Sequence, residues 1–432
     1  MTGASPAIER PGMAVPGAGM PAADAEALLL LACSLPADLL ESDILPRLAA
    51  QVTDWDSLLH RAAEHLAIPF VHARRDDLAP FAPPGWADRL DQAHRVGAAQ
   101  NLQIAALLVR LHKQWFAPQG IAYAAVKGVT VAQNYYDGLA GRACRDLDLL
   151  IDPKACPATL AWLLESGFRL TKPLEVTGEG AERTRQIEAM CDLNREISLR
   201  SPQNDLVDVH STLDLTGADF PTARLLAGVE PVGVLGTQVP TLASADLLVY
   251  LCYHHSRHNW TRLHWIADIG RITRAGDYDA AAVRASAARS GMVELVEACL
   301  AMVPLLADVV SGRQPRLEGL AGTMAQECLT YLAPGALAPL LEYNLRLDDA
   351  GFRWRYWFSQ TAIEWRQRKG LVRKGRALVR SATPSWEMYQ AMPLPRSLRW
   401  LYLPLRAGLQ LVRHSPLRVL LGKGKGKDQG PA

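Results

Sequence analysis

Apolar residues recur at helical spacing through most of the chain, and the spacing changes in one stretch near the middle. "WDSLLHRAAEHLAI" sets Trp55, Leu58, Leu59, Ala62 and Leu66 on one helical face. Residues 26 to 118 read as helices throughout. "PPGWADRLDQAHRVGAAQNLQIAALLVRLHKQWFAPQG" predicts one long helix closed by Pro118 or Gly120. The period then shifts. "IAYAAVKG" predicts a short strand, "VTVAQNYYDG" a helix closed by Gly138, and "RDLDLLID" a strand stopped by Pro153. "CPATLAWLLESG" predicts a helix with Gly167 past its last turn. "FRLT", "REISLR" and "DLVDVHSTL" alternate like strands, with "SPQND" turning between the last two. From 240 to 312 the pattern is helical again, with Thr241 or Ser244 as the cap, and helical sequence continues to residue 345. The expectation is an α+β core over 101–215, between a helical segment at 26–100 and a helical domain at 216–350.

Two acids interrupt the apolar strand "RDLDLLID". Side chains alternate faces along a strand, so Asp146 and Asp148 point together while Leu147 and Leu149 enter the core. The strand "DLVDVHSTL" repeats the plan, with Val207 and Val209 on one face and Asp208 and His210 on the other. Buried carboxylates need a cation. Three of them from neighbouring strands would make an all-oxygen site, the ligand chemistry of Mg²⁺. A plainer account pairs Asp148 with Arg142 or Arg145, Asp208 with an arginine, and lets Asp146 cap a turn. Just upstream, "VKGVT" joins a strand to a helix start, where Lys127, Gly128 and exposed helix N–H groups would suit phosphates. The alternative there is a tight turn with a solvated lysine.

Composition narrows the setting. Of 432 residues, 49% are apolar and 21% charged, which is ordinary for a globular protein. The seven cysteines are scattered and form no CxxC pair, as expected of a reduced, cytoplasmic chain. Residues 1–25 are rich in Ala, Gly and Pro, lack an apolar segment, and read as a disordered leader. "ALLLLACSL" is far short of the roughly 20 residues that span a bilayer. Charge is uneven. Residues 351–432 hold 17 Lys and Arg against 3 Asp and Glu, leaving 29 against 41 in the rest. A basic C-terminal segment on an acidic body either packs against that body or meets an anionic surface, membrane or nucleic acid. A place at the periphery of a membrane follows from the second case.

The ordered series "AAVKGVTVAQNYYDGLAGRACRDLDLLID", "LLESGFRL", "LVDVHSTL" and "LVYLCYHHSRHNWTRLHWIADIGRI" resembles an uncharacterised nucleotidyltransferase family of bacteria. That family falls in the DNA polymerase beta-like nucleotidyltransferase superfamily, and the resemblance covers roughly residues 50–310. It implies a polymerase beta-like core, a mixed sheet with helices, flanked by helical segments. It implies that Asp146, Asp148 and Asp208 bind Mg²⁺, and that Lys127 and Gly128 form the phosphate-side turn. Better-known relatives carry Gly-Ser in that turn. Here Lys-Gly replaces it, and Thr130 is the nearest hydroxyl. The implied reaction moves a nucleoside monophosphate from a nucleoside triphosphate to an acceptor, releasing pyrophosphate. The acceptor is left open among a peptide, a sugar, a metabolite and an RNA end. The rival expectations are a catalytically silent, nucleotide-binding regulator and an interaction protein acting through its basic tail.

Three further features stay open on sequence alone. His210 is either a general base beside the metals or a strand residue bonding a nearby carbonyl. His254 and His258, four apart, suit a helix facing the cleft together with Arg262 better than a zinc site. Asp268 either orients one of these residues or pairs with Arg271. Tyr135 and Tyr136 read as packing residues.

Overall fold

The computed structural model describes residues 24–171, 174–214, 217–337 and 386–402, with single positions at 371, 375 and 405. The leader expected over 1–25 lies outside them except for its last two residues. These already start a helix, Ala25–Ser34, which Asp24 caps by accepting from the Ala27 N–H at 2.7 Å. The expectations for 351–385 and 403–432 lie outside the described residues too, apart from the three single positions.

The centre is a seven-stranded mixed sheet. Its strands are β1 (Tyr123–Ala125), β2 (Asp146–Ile151), β3 (Arg169–Leu170), β4 (Glu196–Arg200), β5 (Leu206–His210), β6 (Glu230–Val234) and β7 (Thr237–Thr241). Their order is β3-β4-β5-β2-β1-β7-β6. β2 runs parallel to β5 and β1 parallel to β7, and every other pair is antiparallel. The sheet thus continues past residue 215. The β6–β7 hairpin turns through Leu235 and Gly236, both at positive φ, as a two-residue primed turn requires. A helix not foreseen, Gly180–Leu193, lies between β3 and β4.

The two faces of the sheet lead into different cores. Leu147, Leu149 and Ile151 of β2 join Val207 and Val209 of β5 in a cluster with the helices Cys156–Glu165 and Gly180–Leu193. Leu150 and the β1 residue Ala124 face a second cluster. This one is built jointly by the N-terminal helices and by Ser244–Arg257, Leu263–Ile272 and Val293–Val310. The two helical flanks therefore share one core. The apolar run near residue 30 belongs there: Leu29, Leu30, Leu31 and Ala32 are fully buried, as in a helix packed on all sides. Among the described residues no helix is long and apolar enough to cross a membrane.

Several boundaries differ from expectation. The long helix runs Trp86–Leu111 and then widens into a π turn, His112–Phe116, before Gly120 at positive φ. Neither Thr241 nor Ser244 caps the helix Ser244–Arg257. Its cap position is Ala243, which makes no side-chain bond, and the Thr241 hydroxyl donates to the Ala125 carbonyl at 2.7 Å.

The basic C-terminal segment docks on the body where it is described. The helix Trp386–Ala391 and a 3-10 turn, Arg396–Leu401, place Trp386, Tyr389 and Tyr402 in the same core as β2 and β5. Arg396 and Arg399 both pair with Asp192, at 3.1 and 2.6 Å.

Candidate active site

Register brings the three acids together. β2 and β5 are hydrogen-bonded neighbours with Asp148 opposite Asp208 and Asp146 opposite Leu206. The odd-numbered apolar residues of both strands point into the core, which forces the even-numbered acids onto the other face. There, one ligand oxygen from each of Asp146, Asp148 and Asp208 lies within 4.8 Å of the other two. This is the one group of three or more metal-ligating side chains among the described residues. Antiparallel β4 adds Ser198 opposite Asp208 and Glu196 opposite His210.

The Lys-Gly turn closes the site from above. Val126 donates its N–H to the Asp148 carbonyl at 3.1 Å, which holds the turn against β2. Gly128 has φ +66°, and a Cβ there would lie 3.3 Å from the Asp146 carbonyl oxygen. Both facts favour glycine. Lys127 is not a solvated surface lysine. Its ammonium stands 3.1 Å from Asp148 Oδ2 and 4.0 Å from Asp146 Oδ2, with the side chain 16% exposed. Thr130 is buried and faces away. Its hydroxyl donates to the Lys127 carbonyl at 3.3 Å and to the Ala125 carbonyl at 3.4 Å, so it shapes the turn.

Electrostatics separates the carboxylates. Burial pushes the Asp148 carboxyl up, but the Lys127 ammonium and the His210 hydrogen bond outweigh it and bring the group down to about 2. Asp208 moves the other way. Burial, then the charges of Asp148 and Glu196, push it up to about 7. Its Oδ1 is buried and has no hydrogen-bond partner in the protein. Burial and Asp148 also raise Asp146. His210 Nε2 lies 3.0 Å from Asp148 Oδ1, and its Nδ1 3.8 Å from Glu196. Burial opposes charging that ring, but Asp148 and Glu196 prevail and raise it. Crowded oxygens, one of them orphaned, and a protein cation drawn in among them fit a hard divalent ion.

Neither Arg142 nor Arg145 pairs with Asp148. Arg145 is exposed. Arg142, fully engaged behind the site, makes a two-pronged bond to Asp268, Nε to Oδ1 and Nη2 to Oδ2, both at 2.7 Å. The Tyr136 hydroxyl donates to the same carboxylate at 2.7 Å. Arg271, offered as a partner for Asp268, instead lies over the Tyr136 ring at 4.5 Å. Tyr136 thus bonds as well as packs. Asn101 pins the same loop. Its amide donates to the carbonyls of Leu139 and Arg142 at 2.5 and 2.6 Å, and its oxygen accepts from the Cys144 N–H at 3.0 Å. Three elements thus clamp the segment that leads into the carboxylate strand. Asn101 could have been found as the polar interruption of an apolar helix face.

The helix Ser244–Arg257 looks onto the acids from the helical side. Tyr250, His254 and His258 form a line of rings, with centroids 5.7 and 4.7 Å apart. Burial and then Lys127 hold His254 well below the usual histidine range, and burial, Arg257 and Lys127 bring His258 down to about 3. Arg262 does not face this cleft. It donates to the Glu64 carbonyl of an N-terminal helix. His255, between the two outer histidines, turns inward to within 3.7 Å of Asp268. Two clefts elsewhere, one beside His72 and His94 and one beside Phe70 and Arg271, include none of the three acids.

A family model described as uncharacterised nucleotidyltransferase matches residues 51–308, and the chain belongs to that family. The protein is therefore a nucleotidyltransferase, an enzyme that acts on a nucleotide. No curated protein matches it.

Proposed function

We propose that the chain transfers a nucleoside monophosphate from a nucleoside triphosphate to an acceptor, with Mg²⁺ held by Asp146, Asp148 and Asp208, and releases pyrophosphate. The sheet around β2 and β5 is assigned as a polymerase beta-like core. One observation carries this reading: three carboxylates from adjacent parallel strands converge within 4.8 Å. When bound, Mg²⁺ supplies charge neutralisation of the phosphates and activation of the attacking oxygen.

The chain's own residues do the rest. Asp148 is held ionised by Lys127 and oriented by His210, so it presents a fixed oxygen. Asp208, whose free Oδ1 faces the same space, completes the set. Lys127 offers a positive charge beside the acids, suited to a triphosphate oxygen. Gly128 lets the backbone of that turn approach a phosphate closely. With Nε2 committed to Asp148, His210 acts by positioning that carboxylate. The acceptor is a peptide, sugar, metabolite or RNA end.

The test is incubation of the full chain with α-labelled triphosphates, Mg²⁺ and a lysate, following both pyrophosphate release and the labelled product. Release that needs Mg²⁺ and disappears in Asp208→Asn is the expected result. Triphosphate binding without any Asp208-dependent release would overturn the assignment.

A further inference from the structure

The stretch 386–402 has two sides. One is fastened to the body by buried Trp386, Tyr389 and Tyr402. Arg399 lies over the Tyr389 ring at 5.5 Å and bonds Asp192 at 2.6 Å. The Tyr402 hydroxyl donates to the Met392 carbonyl at 2.6 Å and accepts the Leu394 N–H at 2.9 Å. A 3-10 turn repeats every three residues, so Arg396 and Arg399 share the edge that meets Asp192. The other two edges present Leu398 and Trp400 to solvent, 41% and 63% exposed. Met392 and Leu405 are also exposed, at 41% and 38%. Four of the ten exposed large apolar residues among those described therefore fall between 392 and 405. The exposed apolar surface is concentrated where the chain is most basic. Residues 371–385 carry four basic and no acidic residues, and 403–432 six basic and one acidic.

We propose that this face docks the protein on an anionic lipid bilayer. Tryptophan favours the membrane interface, and aliphatic side chains enter the acyl boundary beneath it. The flanking sequences, rich in lysine and arginine, supply charge of the sign that anionic headgroups attract. The anchoring side packs into the body, which leaves the apolar residues of the other edges facing outward. A nucleic acid fits the charge equally well but gives Leu398, Met392 and Leu405 nothing to pack on, because bases stack on aromatic rings.

The test is co-sedimentation of the full chain with vesicles of phosphatidylcholine alone and of phosphatidylcholine mixed with phosphatidylglycerol. Binding is expected to the mixed vesicles only, weakening as salt rises. Leu398→Ser and Trp400→Ser should each lower partitioning about tenfold. Both sites are exposed, so unchanged thermal unfolding should accompany the loss. No sedimentation with the mixed vesicles, or sedimentation of both serine variants equal to that of wild type, would overturn the proposal. So would binding of single-stranded RNA that responds to Trp400→Ser and ignores Leu398→Ser, the mark of a stacking surface.

Discussion

Asp148→Asn separates what the carboxylate does in the resting fold from what it does for a metal ion. The side chain keeps its shape and loses its charge. In the native protein Asp148 sits at about 2 against a usual value of 3.8, so its ionised form is favoured by about 2.5 kcal/mol. The sign is that of a depressed acid. This stability is complete above the usual carboxylate range and is lost progressively as pH falls from about 4 through about 2. Asp208 opposes it. At about 7, its ionisation costs about 4 kcal/mol, from burial first and from the Asp148 charge second. Removing the Asp148 charge forfeits the first quantity and returns the part of the second that Asp148 imposes. The two largely offset, so the metal-free variant should unfold within about 1–2 kcal/mol of wild type. The ligand response is where they part. At a hundredfold excess over its Kd, Mg²⁺ with triphosphate should stabilise wild type by about 2.7 kcal/mol and the variant by almost nothing. Thermal unfolding of both proteins, with and without the ligands, reads both quantities. A fall of about 3–5 kcal/mol without ligand, together with an intact ligand response, would mean that Asp148 is a structural ion-pair partner and not a metal ligand.

Two further outcomes follow from the buried polar groups. Asp268→Asn leaves the Arg142 guanidinium buried without its counter-charge and should cost about 3–5 kcal/mol in urea unfolding, where a loss under about 1 kcal/mol would refute the clamp. Burial lowers His65 to about 3, His255 to about 4 and His258 to about 3. Above 6.5 both states carry neutral rings. Below it the unfolded chain takes up protons that the native rings refuse, so stability should fall by more than about 1.4 kcal/mol per pH unit between pH 6 and 5. A shallower slope in urea unfolding across that range would show that these rings are not held neutral.

The three carboxylates were legible because period-two alternation fixes which face each residue takes. Leu147, Leu149, Val207 and Val209 had to go inward, which left Asp146, Asp148 and Asp208 no other place. Neighbouring pairing of β2 and β5 was a guess that the register supports. What could not be read was partner choice across long separations. Nothing local in "RACRDLD" says that Arg142 reaches Asp268, 126 residues on, while Lys127 turns to Asp148. The histidines behaved the same way. Spacing put His254 and His258 on one face, as found, but could not show His255 turned toward Asp268 between them. The β6–β7 hairpin was missed for a different reason. Pro231 and Pro240 suppress the strand signal there; Pro231 lies on the edge strand β6, where a missing N–H is tolerated, and Pro240 stands opposite it on β7, one residue before that strand meets β1 at Thr241.

Buried acids in this fold fall into two kinds, and the difference locates the chemistry better than burial does. Asp268 is wholly buried, yet it receives both prongs of Arg142 and the Tyr136 hydroxyl, and His255 stands beside it. Asp246 is 8% exposed and is met by Arg224 at 2.8 Å and by the Ser286 hydroxyl. Each has its charge answered by the protein, which holds Asp268 far below the usual range. Asp208 is 7% exposed, as deep as Asp246, and one of its oxygens is answered by nothing. A fold selected for stability alone would have no reason to keep it, since an apolar residue there would remove the desolvation cost. That cost is relieved by a proton, which the upward shift of Asp208 favours, or by a cation from outside the chain, as the proposed function requires. Lys127 cannot be that cation for all three acids. It reaches Asp148 and, more distantly, Asp146. The unmatched oxygen of Asp208, placed by strand register directly across from Asp148, is the group that the divalent ion of the proposed function would answer.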